Sequence, residues 1–206
     1  MIYAFILLQG VLLSMRILYF MDILRNADRK FYEIWRRKAL YGVSAVLFGL
    51  AAAGFAAGDV SLLQLRRLDL GVTFLVLAVV DFRRRIVPDR MLLCYLAAQL
   101  LYSAVLNTLA EIAVAAASGL ITSLVLCLLA WFSKEKIGWG DVKLLAVLAV
   151  TAGGGYVVQL AVFAMLPALV VGVILILVCR YSPGYEMPFV PFLFLGMLIQ
   201  SMIKYL

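Results

Sequence analysis

Residues Ile112–Phe132 read IAVAAASGLITSLVLCLLAWF, a run without one charged side chain. A helix that crosses the hydrocarbon core of a bilayer needs about 20 mostly apolar residues, and this run has that length. Lipid offers no partner to backbone N–H and C=O groups, so such a segment must satisfy them internally as a helix. Working outward, seven further apolar stretches have the same character: about 1–20, 39–58, 68–82, 91–108, 141–155, 156–179 and 188–205. The sequence therefore predicts an all-α, polytopic transmembrane helix bundle of about eight spans. No soluble domain, repeat or low-complexity stretch interrupts it, so residues 1–206 are expected to form a single transmembrane domain.

Composition agrees. The hydrophobic fraction is 67% and the charged fraction 14%, against roughly 45–50% and about 25% in soluble domains. A soluble fold of 206 residues leaves too much surface exposed to hide that apolar excess. Met1–Phe20 has no basic leading region and no small-residue cleavage site, which predicts a first span and not a cleavable signal. The stretches 68–82 and 141–155 are short for spans. They are expected to extend into flanking charged residues, tilt little, or be shielded by neighbours. Gly153-Gly154-Gly155 divides 141–155 from 156–179 either as a tight turn or as a kink in one long helix.

The formal charge is +7. In a soluble chain that excess would suggest nucleic acid. Here the basic residues cluster between apolar stretches, which is the positive-inside pattern of membrane proteins; nucleic acid is not an expected partner, and the lipid bilayer is. Met21–Lys38 carries Arg25, Arg29, Lys30, Arg36, Arg37 and Lys38, so that side is expected to be cytoplasmic. Alternation through eight spans puts Arg83, Arg84, Arg85, Arg90, Lys134, Lys136, Lys143 and Arg180 on the same side and leaves Arg66, Arg67 and Lys204 opposite. Dropping one span spoils the agreement.

Histidine is absent and the three cysteines, Cys94, Cys127 and Cys179, lie singly in apolar segments. They read as small buried hydrophobes, with no metal or disulfide pattern; no cofactor is expected. Among the few acids, two stand where an apolar run meets a charged one. Asp81 closes Leu70–Val80 and precedes Phe82-Arg83-Arg84-Arg85-Ile86-Val87-Pro88-Asp89. Asp141 ends Gly138-Trp139-Gly140-Asp141 and opens Val142-Lys143-Leu144-Leu145. Ionisable groups at membrane depth are costly and often functional. Singly, each has a bland reading: Asp141 caps the helix that follows, and Asp81 pairs with the nearby arginines. Together, the expected topology brings them to one cytoplasmic depth, and the glycines beside Trp139 permit close approach and unusual dihedrals. Two carboxyls about 3 Å apart share a proton. One then activates water and the other holds the carbonyl of a scissile peptide. Which of the two starts protonated is open at this stage.

At these residues the chain resembles the type IV prepilin peptidases, intramembrane aspartyl proteases of the GxGD kind. That family carries an aspartate followed by a basic stretch and a Val/Ile-Pro-Asn/Asp element, matched by Asp81 with Val87-Pro88-Asp89. It carries GxGD before a Lys-Leu-Leu-like run, matched by Gly138, Gly140 and Asp141 with Lys143-Leu144-Leu145. Near its C-terminus it carries a Pro-Phe-Gly-Pro-Phe-like segment, here Pro188-Phe189-Val190-Pro191-Phe192, with Gly196 beyond. The resemblance covers about 68–205. It implies that Asp81 and Asp141 are the catalytic pair, that the chain is an aspartic-type endopeptidase, and that it cuts the leader of prepilin or pseudopilin precursors at the cytoplasmic face of the bacterial inner membrane. Two departures stand out. Val190 replaces the usual glycine. The loop Met21–Lys38 is short and lacks the zinc-binding cysteine pairs of larger relatives, so the resemblance implies the peptidase and not the N-methylation of the new N-terminus.

Other motifs read more plainly. Lys143 is expected to snorkel to the headgroups, Asp89 to cap the helix after Pro88, and Arg83–Arg85 to anchor the cytoplasmic boundary. Pro167-Ala168-Leu169 is similar to the PAL motif of presenilin-like proteases, but sits mid-span and reads as coincidence. Pro188–Phe192 is the better wall for a site, because prolines there free backbone groups that an extended substrate can use. A different class of function also fits two intramembrane acids: a small proton- or cation-coupled transporter. Placement near one face, not at mid-depth, favours the protease.

Overall fold

The structure, a computed structural model, describes residues 2–27, 61–133, 137–177 and 187–203. Seven helices lie among them: α1 (Ile2–Ala27), α2 (Leu62–Arg84), α3 (Asp89–Leu106), α4 (Leu109–Phe132), α5 (Trp139–Ala152), α6 (Gly154–Leu177) and α7 (Val190–Ile203). The chain is an all-α, membrane-spanning bundle. The stretch 39–58, expected to be the second span, lies outside the described residues, as do Lys134, Lys136, Cys179, Arg180 and Lys204.

Three helices, α3, α4 and α6, are long and apolar enough to cross a membrane, with shorter apolar pieces at Leu8–Phe20 and Val190–Ile203. Of the two short stretches, 68–82 grows into the 23-residue α2. Its start is set by a capping box: the Ser61 amide donates to the Gln64 side chain at 2.7 Å and the Gln64 amide to the Ser61 hydroxyl at 3.3 Å. Each bond satisfies a first-turn donor that the helix itself cannot. Arg66 and Arg67 hid this start, because an apolar window stops at them. The stretch 141–155 does not lengthen. α5 has 14 residues, about 21 Å at 1.5 Å per residue, and is short of the roughly 30 Å hydrocarbon core.

The break between α5 and α6 falls at Gly153 alone. Its φ of 89° is a conformation that side chains with a Cβ disfavour, and Gly154 and Gly155 are already helical. A second capping box, Thr108 with Glu111, starts α4.

The chain divides into two compact units. The first holds α1, α2 as far as Val76, α3 and the start of α4. Its apolar cluster joins Ile6, Leu65 and Tyr102, flanked by Phe5, Leu62 and Leu106, with the Phe5 and Tyr102 rings edge to face at 5.3 Å. Beside it runs a buried polar network. Arg16, 2% exposed, donates to Asp69, 6% exposed, at 2.5 and 3.2 Å, and to the Thr73 hydroxyl at 2.5 Å. The Gln99 amide donates to Asp69 at 3.1 Å, and Arg66 donates to Gln99 at 2.9 Å and to Ser103. Two opposite charges, paired and each with further hydrogen bonds, are the form in which charge is tolerated in an apolar interior.

The second unit holds Leu77–Val87, the rest of α4, α5, α6 and α7. Small residues let its helices touch backbone to backbone. A Cβ on Gly119 of α4 would overlap the Ala149 carbonyl of α5, and one on Gly196 of α7 would lie 2.8 Å from the Ala164 nitrogen of α6. Such close approaches are how apolar helices pack when lipid removes the hydrophobic drive between them. α4 and α6 are mostly exposed along their lengths and carry large apolar side chains outward, among them Leu120, Ile121, Leu124, Val162, Leu166 and Leu169. That surface suits lipid.

Candidate active site

Asp81 sits in the last turn of α2 and is only 5% exposed. The C-terminal end of a helix carries partial negative charge and favours cations, so a buried acid there needs compensation. Arg85, at φ 53°, closes the helix by donating its amide to the Asp81 carbonyl at 2.7 Å and also acts electrostatically on the carboxylate. The closer partner comes from far along the chain. The Val190 amide donates to Asp81 Oδ2 at 3.0 Å, and the Phe189 amide lies alongside.

The local sequence explains that donor. Phe189 accepts from the Phe192 and Leu193 amides at 3.0 and 3.1 Å, so it is the residue on which α7 starts. Val190 is then the first helical residue, and its amide has no intrahelical acceptor. Pro191 follows in the first turn, where its missing N–H costs nothing. Pro188 is half-buried just before the helix. The Pro188–Phe192 segment thus adjoins Asp81 through Val190. Of the backbone groups in that segment, the Val190 amide is taken by Asp81.

Asp141 stands in the first turn of α5. Gly138 is the N-cap, at an ordinary φ of −63°, and accepts from the Asp141 and Val142 amides at 3.1 and 3.2 Å. Asp141 is therefore not the cap, although negative charge is favoured in that turn. A Cβ on Gly138 would lie 3.2 Å from Asp141 Oδ2, and one on Gly140 would lie 3.2 Å from Val87 Cγ2. Both glycines sit where a Cβ would be tight, and neither has a positive φ. The carboxylate is half-buried and lies within the field of the Asp81 charge. Asp81 and Asp141 thus belong to one compact unit, each within a turn of a helix end.

The remaining candidates separate from this pair. Pro88, at φ −74° and ψ 121°, is the N-cap of α3, and Asp89 is its first helical residue. The expected cap is thus displaced by one residue, because proline already supplies the extended conformation; Asp89 still faces the positive end of that helix. Both belong to the first unit. Lys143 is exposed. Pro167 lies inside α6, half-buried like Ala168, and Leu169 of the PAL-like triplet is exposed.

Residues 68–177, more than half of the chain, match the type IV leader peptidase family. The chain belongs to that family. The matched region includes Asp81 and Asp141 and stops short of the Pro188–Phe192 element. No curated protein and no solved structure matches the chain. Membership in the type IV leader peptidase family supports a protease function in general, within a multi-pass membrane protein.

The polar network of the first unit escaped the sequence reading. Arg16 and Asp69 each stood inside an otherwise apolar stretch, which was signal enough that a partner was needed. Nothing local said that they were each other's.

Proposed function

We propose that this leader peptidase family member is an intramembrane aspartyl endopeptidase. It cuts prepilin- or pseudopilin-like precursors at the cytoplasmic membrane face, and Asp81 and Asp141 are its catalytic pair. The observation that carries the reading is that both acids belong to one compact unit, each within a turn of a helix end, with the charge of Asp81 acting on Asp141. The family match over both residues adds to it. Exposed Arg83, Arg84 and Arg85, which follow Asp81 and Phe82, suit a boundary with anionic headgroups, and so a cytoplasmic setting.

The chemistry needs one shared proton. The ionised carboxylate takes a proton from water while the water oxygen bonds to the scissile carbonyl carbon. The protonated partner gives its proton to the carbonyl oxygen, leaving a neutral gem-diol. When the C–N bond breaks, the first acid protonates the leaving nitrogen and a diol hydroxyl returns its proton to the second. Both carboxyls end as they began. The pair titrates as a unit, so the pH–rate profile should be bell-shaped with limbs that belong to the pair.

The test uses Asp81→Asn and Asp141→Asn with a prepilin-type precursor. Each variant should accumulate in the membrane at normal levels and cleave nothing. Normal processing by either one removes the pair from the mechanism. Cleavage of a generic transmembrane peptide in preference to the precursor would keep the chemistry and overturn the substrate class.

A further inference from the structure

We propose that the first turn of α7, through the Val190 amide, holds Asp81 as the ionised member of the pair, so that Asp81 activates water and Asp141 supplies the proton. This rests on the aspartyl peptidase reading and divides the roles within it. Val190 is a positioning residue in that scheme. It touches neither water nor peptide and acts through Asp81.

Geometry makes the two acids unequal. Asp81 Oδ2 accepts from the Val190 amide at 3.0 Å, at the end of α7 where unpaired amides and the helix dipole concentrate positive charge. Hydrogen bonds from fixed donors to a carboxylate are stronger than those to a neutral carboxyl. These donors favour the charge over the proton, while the burial of Asp81, only 5% exposed, works against the charge. Arg85 adds its charge from the cap of α2, and α7 itself carries no charged side chain between Val190 and Ile203. Asp141 also enjoys the start of a helix. However, its Oδ2 folds back over the bare Gly138 Cα, and among the described residues no hydrogen bond reaches its carboxylate. Of two acids that share one proton, the one without donors keeps it. The proton then sits on Asp141, where a scissile carbonyl can accept it.

The segment that supplies this donor is also suited to the task by sequence. Proline at position 191 and the α7 start at 190 hold the Val190 N–H outside any intrahelical bond. The amide points to Asp81 before substrate arrives and needs no rearrangement during the reaction.

The experiment removes the donor and leaves the side chain. An ester in place of the Val190 amide deletes the N–H and keeps the side chain, but also weakens the Phe189 carbonyl that accepts from Phe192 and Leu193. Val190→Pro removes the N–H and keeps that carbonyl an amide, at a position where proline is well tolerated. Val190→Ala keeps the amide and controls for packing. In the ester and proline variants, kcat on a prepilin-type precursor should fall about tenfold or more with KM little changed. The acidic limb of the pH–rate profile should move to higher pH by about 1 unit. Val190→Ala should leave the profile in place. An acidic limb unmoved in the ester or proline variant overturns the proposal, as does a shift confined to the alkaline limb, which would make Asp81 the proton donor. On the unaltered protein, carbodiimide coupling requires a protonated carboxyl and should mark Asp141; marking of Asp81 with Asp141 spared overturns the assignment even where a variant fails to accumulate. If Asp81→Asn and Asp141→Asn both process precursor normally, the peptidase reading itself fails. If both are dead and the Val190 variants keep the native profile, only the division of roles fails.

Discussion

Gly140 lies directly against Val87, where an added Cβ would meet Val87 Cγ2 at 3.2 Å and Cβ at 3.3 Å. The contact joins the chain just after the Asp81 helix to the turn that presents Asp141. It therefore ties the position of one acid's helix end to that of the other. Valine has little rotamer freedom with which to yield. Gly140→Ala should reduce precursor cleavage several-fold at unchanged membrane levels, and Gly140→Leu should abolish it. Val87→Ala should restore part of the activity of Gly140→Ala by returning the space. Full activity of Gly140→Leu would show that this spacing does not govern the site.

The buried ion pair makes a stability prediction that is independent of catalysis. Removing one partner of such a pair strands the other charge and typically costs about 3–5 kcal/mol, whereas replacing both by apolar groups costs far less. Arg16→Met should lower the unfolding midpoint in mild detergent sharply, because Asp69 loses its bonds at 2.5 and 3.2 Å. Arg16→Met with Asp69→Leu should regain much of the loss. Equal midpoints for the single and double variants would mean that the network contributes through Thr73 and Gln99 alone.

Three glycines of the second unit should respond differently to alanine. At Gly119 the new Cβ runs into the Ala149 carbonyl and the Val150 Cα, which are backbone and cannot step aside. Overpacking of that kind costs roughly 1–3 kcal/mol. At Gly153, φ is 89°, so alanine is strained even though its Cβ would meet only Ser118 Oγ, at 3.8 Å. At Gly155, helical and with nothing within 4 Å of a new Cβ, alanine should be neutral or stabilise by up to about 1 kcal/mol. Thermal unfolding of the three variants checks the order.

The PAL-like triplet offers a negative prediction. Leu169 is exposed on α6, toward the surface that suits lipid. Leu169→Ala should leave precursor cleavage within about twofold of the parent, since an outward apolar side chain in lipid loses little on truncation. A large loss of activity would bring that part of α6 into the substrate path.

Much of this was legible in the chain itself. Lipid imposes a composition, so runs such as Ile112–Phe132 announce helices without reference to anything else. Asp81 and Asp141 stood out because charge is rare in such surroundings, Gly138 and Gly140 because they stand just ahead of an acid, and membership in the leader peptidase family agrees with the motifs they form. Helix ends were less visible. The start of α2 depended on Ser61 and Gln64, whose capping signal lay beyond charged residues that a hydropathy reading treats as a boundary.

What tertiary structure alone decided is which of these groups meet. Asp81 and Val190 stand 109 positions apart, and Arg16 and Asp69 stand 53 apart. A buried carboxylate demands donors and the first amides of a helix demand acceptors, but these demands are general and name no partner. Sequence determines the unmet valence at each helix end and each intramembrane charge. Only the packing of one helix on another, through contacts as close as Gly119 on Ala149, selects the group that satisfies it.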